Sequence, residues 1–267
     1  MARDYVHGYA AQETTRLVDQ ASTLTELLHF DTAYPPGSLV LEAGCGVGAQ
    51  TVTLAARSPQ TTFVSVDISP ASLILAKARA READLRNVTF HAGDIFSLPF
   101  SETQFDHAFV CFVLEHLVTP EKALAEVRRV LKPGGTLTVI EGDHGSAYFH
   151  PDSEFARRAV QCLVDLQREA GGDALIGRRL YPLLVQAGVR EVRVSPRMVY
   201  VDASRPTLVD GFIRKTFTAM VEGVSEQAIR QGLIDAESWR QGIRDLYRTA
   251  EADGTFCYTF FKAIGVK

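Results

Sequence analysis

No apolar run in this 267-residue chain approaches the ~20 residues needed to cross a bilayer. The opening Met1-Ala2-Arg3-Asp4-Tyr5 also lacks the apolar segment of a secretory leader. The sequence therefore reads as a cytoplasmic protein with no membrane partner. Cysteine is scarce: Cys45, Cys111, Cys162 and Cys257 are dispersed, with no C-x-x-C pair to hold zinc, so reduced thiols and no metal are expected. A long basic run is missing and the net charge is −4, which argues against a nucleic-acid partner, whose phosphates demand a basic face. The pairs Arg128-Arg129, Arg157-Arg158 and Arg178-Arg179 read as solvated helix surface. Repeats and low-complexity tracts are likewise missing.

What is present is an ordinary globular balance, 46% hydrophobic and 22% charged residues, enough for a sizeable core in a single domain over 1–267. Apolar strands alternate with helical patterns five times between residues 38 and 141. Strands are expected at 39–43, 62–66, 87–91, 105–112 and 136–140, with helices at 47–57, 70–84 and from Pro120 to the Leu131-Lys132-Pro133-Gly134-Gly135 turn. Ser69-Pro70 has the form of a helix start, with serine as N-cap and proline at the first helical position. That rhythm implies a parallel sheet with helices on both faces and a ligand cleft beyond the carboxyl ends of the strands.

Outside this core, residues 9–29 read as a helix, with Leu17, Ala21, Leu24 and Leu28 on one face. Residues 152–187 look helical, broken at Gly171-Gly172, and 190–200 and 255–266 read as two further strands. Residues 203–253 form a helical insertion interrupted by Gly211, Gly223, Gly232 and Gly242. The organisation expected is an N-terminal helical lid at 1–37, a core of sheet and helices at 38–202, a helical cap at 203–253 and the last strand at 254–267.

The centre of interest is Leu39-Val40-Leu41-Glu42-Ala43-Gly44-Cys45-Gly46-Val47-Gly48-Ala49-Gln50, an apolar strand running into closely spaced glycines. Glycines where a strand turns into a helix let a ligand approach the main chain and the free N–H groups of the helix start. Gly44, Gly46 and Ala49 satisfy the dinucleotide pattern G-x-G-x-x-G/A, and Asp67 lies close to the offset at which an acid grips a ribose. A nicotinamide-dependent oxidoreductase is one reading. Glu42 disfavours it, because a carboxylate there repels a pyrophosphate, and residues 42–56 contain no Lys or Arg. An acid suits a cationic ligand carrying a sulfonium and an ammonium group.

Glu42-x-Gly44-x-Gly46-x-Gly48 resembles the first motif of the class I S-adenosylmethionine-dependent methyltransferases. Phe105-Asp106-x-x-Phe109 to Leu117 resembles their fourth-strand motif. Val130-Leu131-Lys132-Pro133-Gly134-Gly135 resembles the turn of the menaquinone/ubiquinone-methyltransferase-like subgroup. The resemblance covers residues 37–142 and the final strand pair. It implies a Rossmann-like fold with a doubly wound, mostly parallel seven-stranded sheet whose last strand is antiparallel, a helical cap, and S-adenosylmethionine as cofactor. It also implies that Asp67 binds the ribose hydroxyls, that Asp94 reads the adenine amino group, and that Ile95 lies against the ring. Glu42, Gly44, Cys45, Gly46, Gln50, Ile68, Phe96, Cys111, Phe112 and His116 complete the expected bed; the helix at 9–29 either lies over it as a lid, with Tyr9, Arg16 and Gln20 reaching the ligand, or packs on the sheet.

Methyl transfer from a sulfonium is an in-line displacement that needs orientation and exclusion of water more than covalent help. Where the acceptor must lose a proton, His116, after the fourth strand, and Glu141, Asp143 and His144, after the fifth, are the candidates. Tyr148, His150, Tyr181, Arg197 and Tyr200 are candidates to line an acceptor pocket. The expected activity is methylation of a small molecule, on oxygen, nitrogen or carbon. Protein or RNA as acceptor, or a binding protein without turnover, are the alternatives. Leu208, Phe212, Phe217, Met220 and Val221 are expected either to roof the acceptor or to form a homodimer face.

Overall fold

The computed structural model describes residues 11–267, the side chains of residues 11–15 and 17–19 excepted. Two compact units are distinguished: the described part of Met1–Leu27 with Gly142–Leu175 and Arg197–Phe260, and Leu28–Glu141 with Ile176–Pro196 and Phe261–Lys267. The chain passes between them within its first helix, within three strands and between Leu175 and Ile176.

The second of these units carries the glycine stretch. Its strands are β1 (Leu39–Ala43), β2 (Thr62–Asp67), β3 (Val88–Ala92) and β4 (Phe105–Cys111), joined by the first part of β5 (Leu131–His150). With β6 (Arg190–Val201) and β7 (Thr255–Val266) they form a seven-stranded sheet in the order β3-β2-β1-β4-β5-β7-β6. The first five pair in parallel, with Leu41 opposite Val64 and Ala108, and Val110 opposite Val139. The last strands are antiparallel. Leu41, Val64, Phe105, Val110 and Leu137 pack with Leu124, Val127 and Leu183 into one apolar core. The central strands are buried on both faces, which is why they read as near-continuous apolar runs rather than as alternating ones.

Helix starts follow the local chemistry. In α3 (Pro70–Glu82), which follows α1 (Ala11–His29) and α2 (Ala49–Arg57), the Ser69 hydroxyl accepts from the Ser72 N–H at 3.2 Å and Pro70 sits where no donor is missed. In α4 (Pro120–Val130) proline again opens the helix, but Thr119 makes no side-chain cap. Beneath the Lys132-Pro133-Gly134-Gly135 turn, Asp106 accepts from Lys132 Nζ at 2.7 Å and from the Leu39 N–H at 2.9 Å. A Cβ on Gly135 would come within 2.7 Å of the Asp106 carbonyl. The turn is therefore a packing device at the amino ends of β4 and β5, opposite the ligand end of the sheet.

The fifth strand departs from expectation. It begins at Leu131, with an irregular register between Phe105 and His107, and continues ten residues past Ile140. Glu141, Asp143 and His144 thus lie inside a strand, not in a loop after it, because β7 lies beside β5 in the sheet and supplies the backbone partners that a loop would lack.

The other unit is mainly helical. The Ser153 hydroxyl caps α5 (Glu154–Glu169), and after α6 (Leu180–Gln186) of the sheet-bearing unit come α7 (Pro206–Leu208), a π-helix at Val209–Thr218, α8 (Ala219–Glu222), α9 (Ser225–Arg230) and α10 (Ala236–Arg248). The Asp235 carboxylate accepts from the Glu237 and Ser238 N–H groups, both at 2.9 Å, to start α10. Two glycines expected to interrupt helices lie inside them instead. A Cβ on Gly242 would collide with the Phe155 carbonyl carbon at 3.0 Å where α10 packs on α5, and one on Gly211 would collide with Thr23 Cγ2 at 2.9 Å. Close packing, not chain breaking, is their function.

Candidate functional site

Beyond the carboxyl ends of β1 and β2 the chain builds a compact polar bed. Gly44, Gly46 and Gly48 all have positive φ, at 84°, 51° and 78°, so the turn is closed to ordinary side chains. Their surroundings differ. A Cβ on Gly44 would overlap the Val113 side chain, with Cγ1 at 3.1 Å, and one on Gly48 would stand 2.9 Å from the Ala76 Cα of α3. At Gly46 a Cβ meets nothing within 4 Å. Two of the glycines are thus demanded by the protein's own packing, and the third opens onto free space.

Asp67 ends β2 against this turn. Its Oδ2 accepts from the Gly46 N–H at 2.7 Å and its Oδ1 from the Ser69 N–H at 2.8 Å. Burial raises its pKa, partly offset by these backbone donors. Glu42 lies deeper, 2% exposed, and its Oε2 accepts from the Thr51 and Ser65 hydroxyls, both at 2.7 Å. Burial pushes the Glu42 carboxyl up to about 7; the two hydroxyls work against that shift and the neighbouring Asp67 charge adds to it. Thr51 and Ser65 were not foreseen. The signal was a lone serine in the apolar strand Phe63-Val64-Ser65-Val66.

At the end of β3, Asp94 is exposed and its Oδ1 accepts from the Phe96 N–H at 2.9 Å. Ile95 packs partly against the core, whereas Ile68 and Phe96 stay exposed, at 56% and 40%. Cys45 and Cys111 are buried, and burial holds both thiols far above their ordinary pKa, which leaves them protonated and unsuited to nucleophilic work. Gln50, near the start of α2, meets His29 Nε2 through its Oε1 at 2.7 Å.

After β4 the chain makes a sharp turn. Phe112 adopts φ 56°, rare for a bulky residue, and its N–H donates to the Ile140 carbonyl at 3.0 Å. Glu141, fully buried, explains how this turn is held: its Oε1 accepts from the Val113 N–H at 3.0 Å and the Leu114 N–H at 2.7 Å, at the start of the short 3₁₀ segment Leu114–His116. Oε2 has no partner among the described residues, and burial beside Glu115 drives the pKa well above the carboxylate range. Glu141 therefore orders backbone through Oε1, in surroundings that disfavour its charged form. His116, part-buried, pairs with Glu115 at 3.6 Å.

The expected residues do not all fall in one place. Those from Glu42 to His116, with Glu141, belong to the sheet-bearing unit. Arg16, Gln20 and His144 belong to the other, and Tyr9 lies outside the described residues. Arg16 donates to the Gln20 side-chain oxygen at 3.2 Å, one helical turn away. His144 is buried, with Nδ1 2.7 Å from the Tyr258 hydroxyl and its ring edge-on to Phe217. Phe212, Phe217, Met220 and Val221 are buried in that same unit. Phe212 and Phe217 pack against Phe256 and Tyr258, so these side chains present no exposed face. Of the acceptor-pocket candidates, Tyr148, His150, Tyr181 and Tyr200 are exposed and Arg197 is buried.

Glu141 gives a direct test. Glu141→Gln keeps an oxygen acceptor for the Val113 and Leu114 N–H groups, whereas Glu141→Leu strands two buried donors at about 1–3 kcal/mol each. Denaturant melts are expected to show a loss of that order for the leucine variant and a minor one for glutamine. A large loss of stability in Glu141→Gln as well would show that the ordering bonds need the carboxylate itself.

Residues 41–139 match the methyltransferase domain family. A 37.1 kDa protein of transposon Tn4556 from Streptomyces fradiae is 36% identical over 203 residues, covering 75% of this chain and 57% of that protein. Demethylmenaquinone methyltransferase from Renibacterium salmoninarum is 38% identical over 109 residues, covering 41% of this chain and 43% of the enzyme. The chain thus spans about half the length of the curated relatives it matches. Among solved structures, the YcgJ protein of Bacillus subtilis superposes with a TM-score of 0.58 at 17% identity, covering 92% of this chain and 98% of that one, which shows a shared fold.

Proposed function

We propose that this chain, which carries a methyltransferase domain of the class I S-adenosylmethionine-dependent kind over residues 41–139, methylates a small molecule with S-adenosylmethionine as its cofactor. The observation that carries the reading is the Gly46 and Asp67 pair: a glycine whose missing side chain leaves open space, beside a carboxylate anchored by backbone N–H groups. When bound, the cofactor supplies a methyl carbon attached to a sulfonium, which leaves as a neutral thioether with the electron pair of the broken bond.

The residues divide the work. Asp67 keeps a second lone pair on each oxygen for the ribose hydroxyls, and its backbone bonds hold it in place for them. Asp94 meets the adenine amino group, and the exposed Ile68 and Phe96 with Ile95 supply apolar surface for the ring. Glu42, buried and acidic, biases the bed toward a cationic ligand. Proton removal, where the acceptor requires it, is assigned to His116, since Glu141 Oε1 is engaged with backbone, Asp143 Oδ1 accepts from the Gly145 N–H and His144 Nδ1 meets Tyr258. A small acceptor suits a net charge of −4 and the want of a basic run.

Titration of the full chain with S-adenosylmethionine, S-adenosylhomocysteine and NAD tests the reading, because a ligand that binds only the folded state raises the melting temperature. The first two are expected to do so and NAD is not; the reverse order would sink it. Asp67→Ala is expected to weaken S-adenosylhomocysteine by about one to two powers of ten by calorimetry, the loss of a charge-assisted bond of about 1.5–3 kcal/mol. An unchanged dissociation constant would remove Asp67 from the site.

A further inference from the structure

A chain of polar groups in the sheet-bearing unit ends on Gln50 and has no part in the chemistry above. Lys262, on β7 and 1% exposed, donates from Nζ to Asp31 Oδ1 at 2.7 Å and to Thr32 Oγ1 at 2.6 Å. Thr32 Oγ1 lies 3.4 Å from His29 Nδ1, and His29 Nε2 lies 2.7 Å from Gln50 Oε1. His29 is fully buried and Thr32 nearly so.

Directionality is fixed from both ends. The Lys262 ammonium only donates and the Gln50 amide oxygen only accepts. Thr32 Oγ1 accepts a hydrogen bond from Lys262; with a neutral ring whose Nε2–H donates to Gln50 Oε1, His29 Nδ1 carries no hydrogen and accepts from the Thr32 hydroxyl. The tautomer this requires is that of a neutral ring, and burial, aided by the Lys262 and Arg57 charges, holds His29 at about 4 against the pull of the Gln50 bond and Asp31. With its oxygen engaged, Gln50 offers only its N–H groups outward, and its Nε2 has no partner among the described residues.

We propose that His29 is a positioning residue, locked by Thr32 and Lys262, that turns the Gln50 amide so that its N–H groups donate to the carboxylate of the bound cofactor. This rests on the cofactor reading above. The carboxylate is the matching group for a chemical reason: residues 42–56 offer no Lys or Arg, and Glu42 and Asp67 repel an anion, so what this stretch itself can present to a carboxylate is a neutral donor, and the Gln50 amide is one.

Calorimetry on the full chain, with S-adenosylhomocysteine and with 5′-methylthioadenosine, tests it; the second ligand keeps the nucleoside and thioether and lacks the amino-acid end. His29→Phe keeps a ring beside Phe109 and removes both hydrogen bonds. It is expected to weaken S-adenosylhomocysteine about tenfold and leave 5′-methylthioadenosine unchanged. Gln50→Leu, at a part-exposed position, should show the same selective loss, with no further loss in the double variant. Gln50→Leu also stands alone as the test where His29→Phe does not fold. Equal weakening of both ligands would reduce His29 to a packing residue, and no weakening of either would overturn the proposal. Binding of neither ligand by the unaltered protein would instead bring down the cofactor reading itself.

Discussion

Gly46→Val is expected to give a folded protein that no longer binds S-adenosylmethionine. The backbone at Gly46 has φ 51°, so a branched side chain costs roughly 1–2 kcal/mol of strain, which a domain of ordinary stability survives. The space that receives the side chain is empty of protein, since a Cβ there meets nothing within 4 Å, so the fold is not pushed apart. On the proposed reading, the side chain occupies the room the ligand needs. Its two neighbours in the motif should behave in the opposite manner. Gly44→Ala drives a methyl into Val113, and Gly48→Ala brings one within 2.9 Å of the α3 backbone, so both should lower the melting temperature before any question of binding arises. Thermal melts with and without ligand separate the cases. Normal binding by a folded Gly46→Val protein would make the whole motif a structural turn.

Glu42→Gln is expected to stabilise the ligand-free protein at pH 8 while weakening the cofactor. The Glu42 carboxyl rises from 4.5 to about 7 on folding, chiefly through burial. Between those values the folded state holds a proton that the unfolded chain has lost. The contribution is therefore fully present below pH 4.5 and is lost as the pH rises through about 7. The shift corresponds to about 3 kcal/mol across that window, at 1.36 kcal/mol per pKa unit. Glutamine keeps an oxygen for the Thr51 and Ser65 hydroxyls and never ionises, so its stability should not fall over the same range. Binding runs the other way: a sulfonium and an ammonium group favour ionised Glu42, so affinity for S-adenosylmethionine should climb through pH 7 in the native sequence and not in the variant. Parallel pH profiles of the two proteins in denaturant melts would leave Glu42 without its assigned role.

Much of this was open to sequence reasoning because it is local. A glycine turn, the Ser69-Pro70 helix start and the first four apolar strands are set by neighbours within a few residues, and their positions emerged within one or two residues of expectation. The Glu42, Gly46 and Asp67 constellation followed because strand ends in a parallel sheet converge on one edge. Even there the motif hid a division of labour. Three glycines look alike as letters, and only the packed neighbours, Val113 and Ala76, distinguish the two that serve the fold from the one that leaves space.

The remainder depended on contacts between residues far apart in the chain. Glu141 looked like a base beyond a strand end; the sheet order, with β7 between β5 and β6, extended the strand past it, and its carboxyl was turned onto the Val113 and Leu114 N–H groups. Lys262 reaches Thr32 across 230 residues of sequence, so no window of the chain could disclose the path to Gln50. Local propensity, turn chemistry and periodicity belong to short stretches, and these the sequence by itself determined: the elements, the glycine bed and the identity of its acids. Burial belongs to the assembled core, and with it came what only the tertiary structure decided: the upward pKa shifts of Glu42 and Glu141, the downward shift of His29, and which polar atoms are consumed by the protein's own hydrogen bonds.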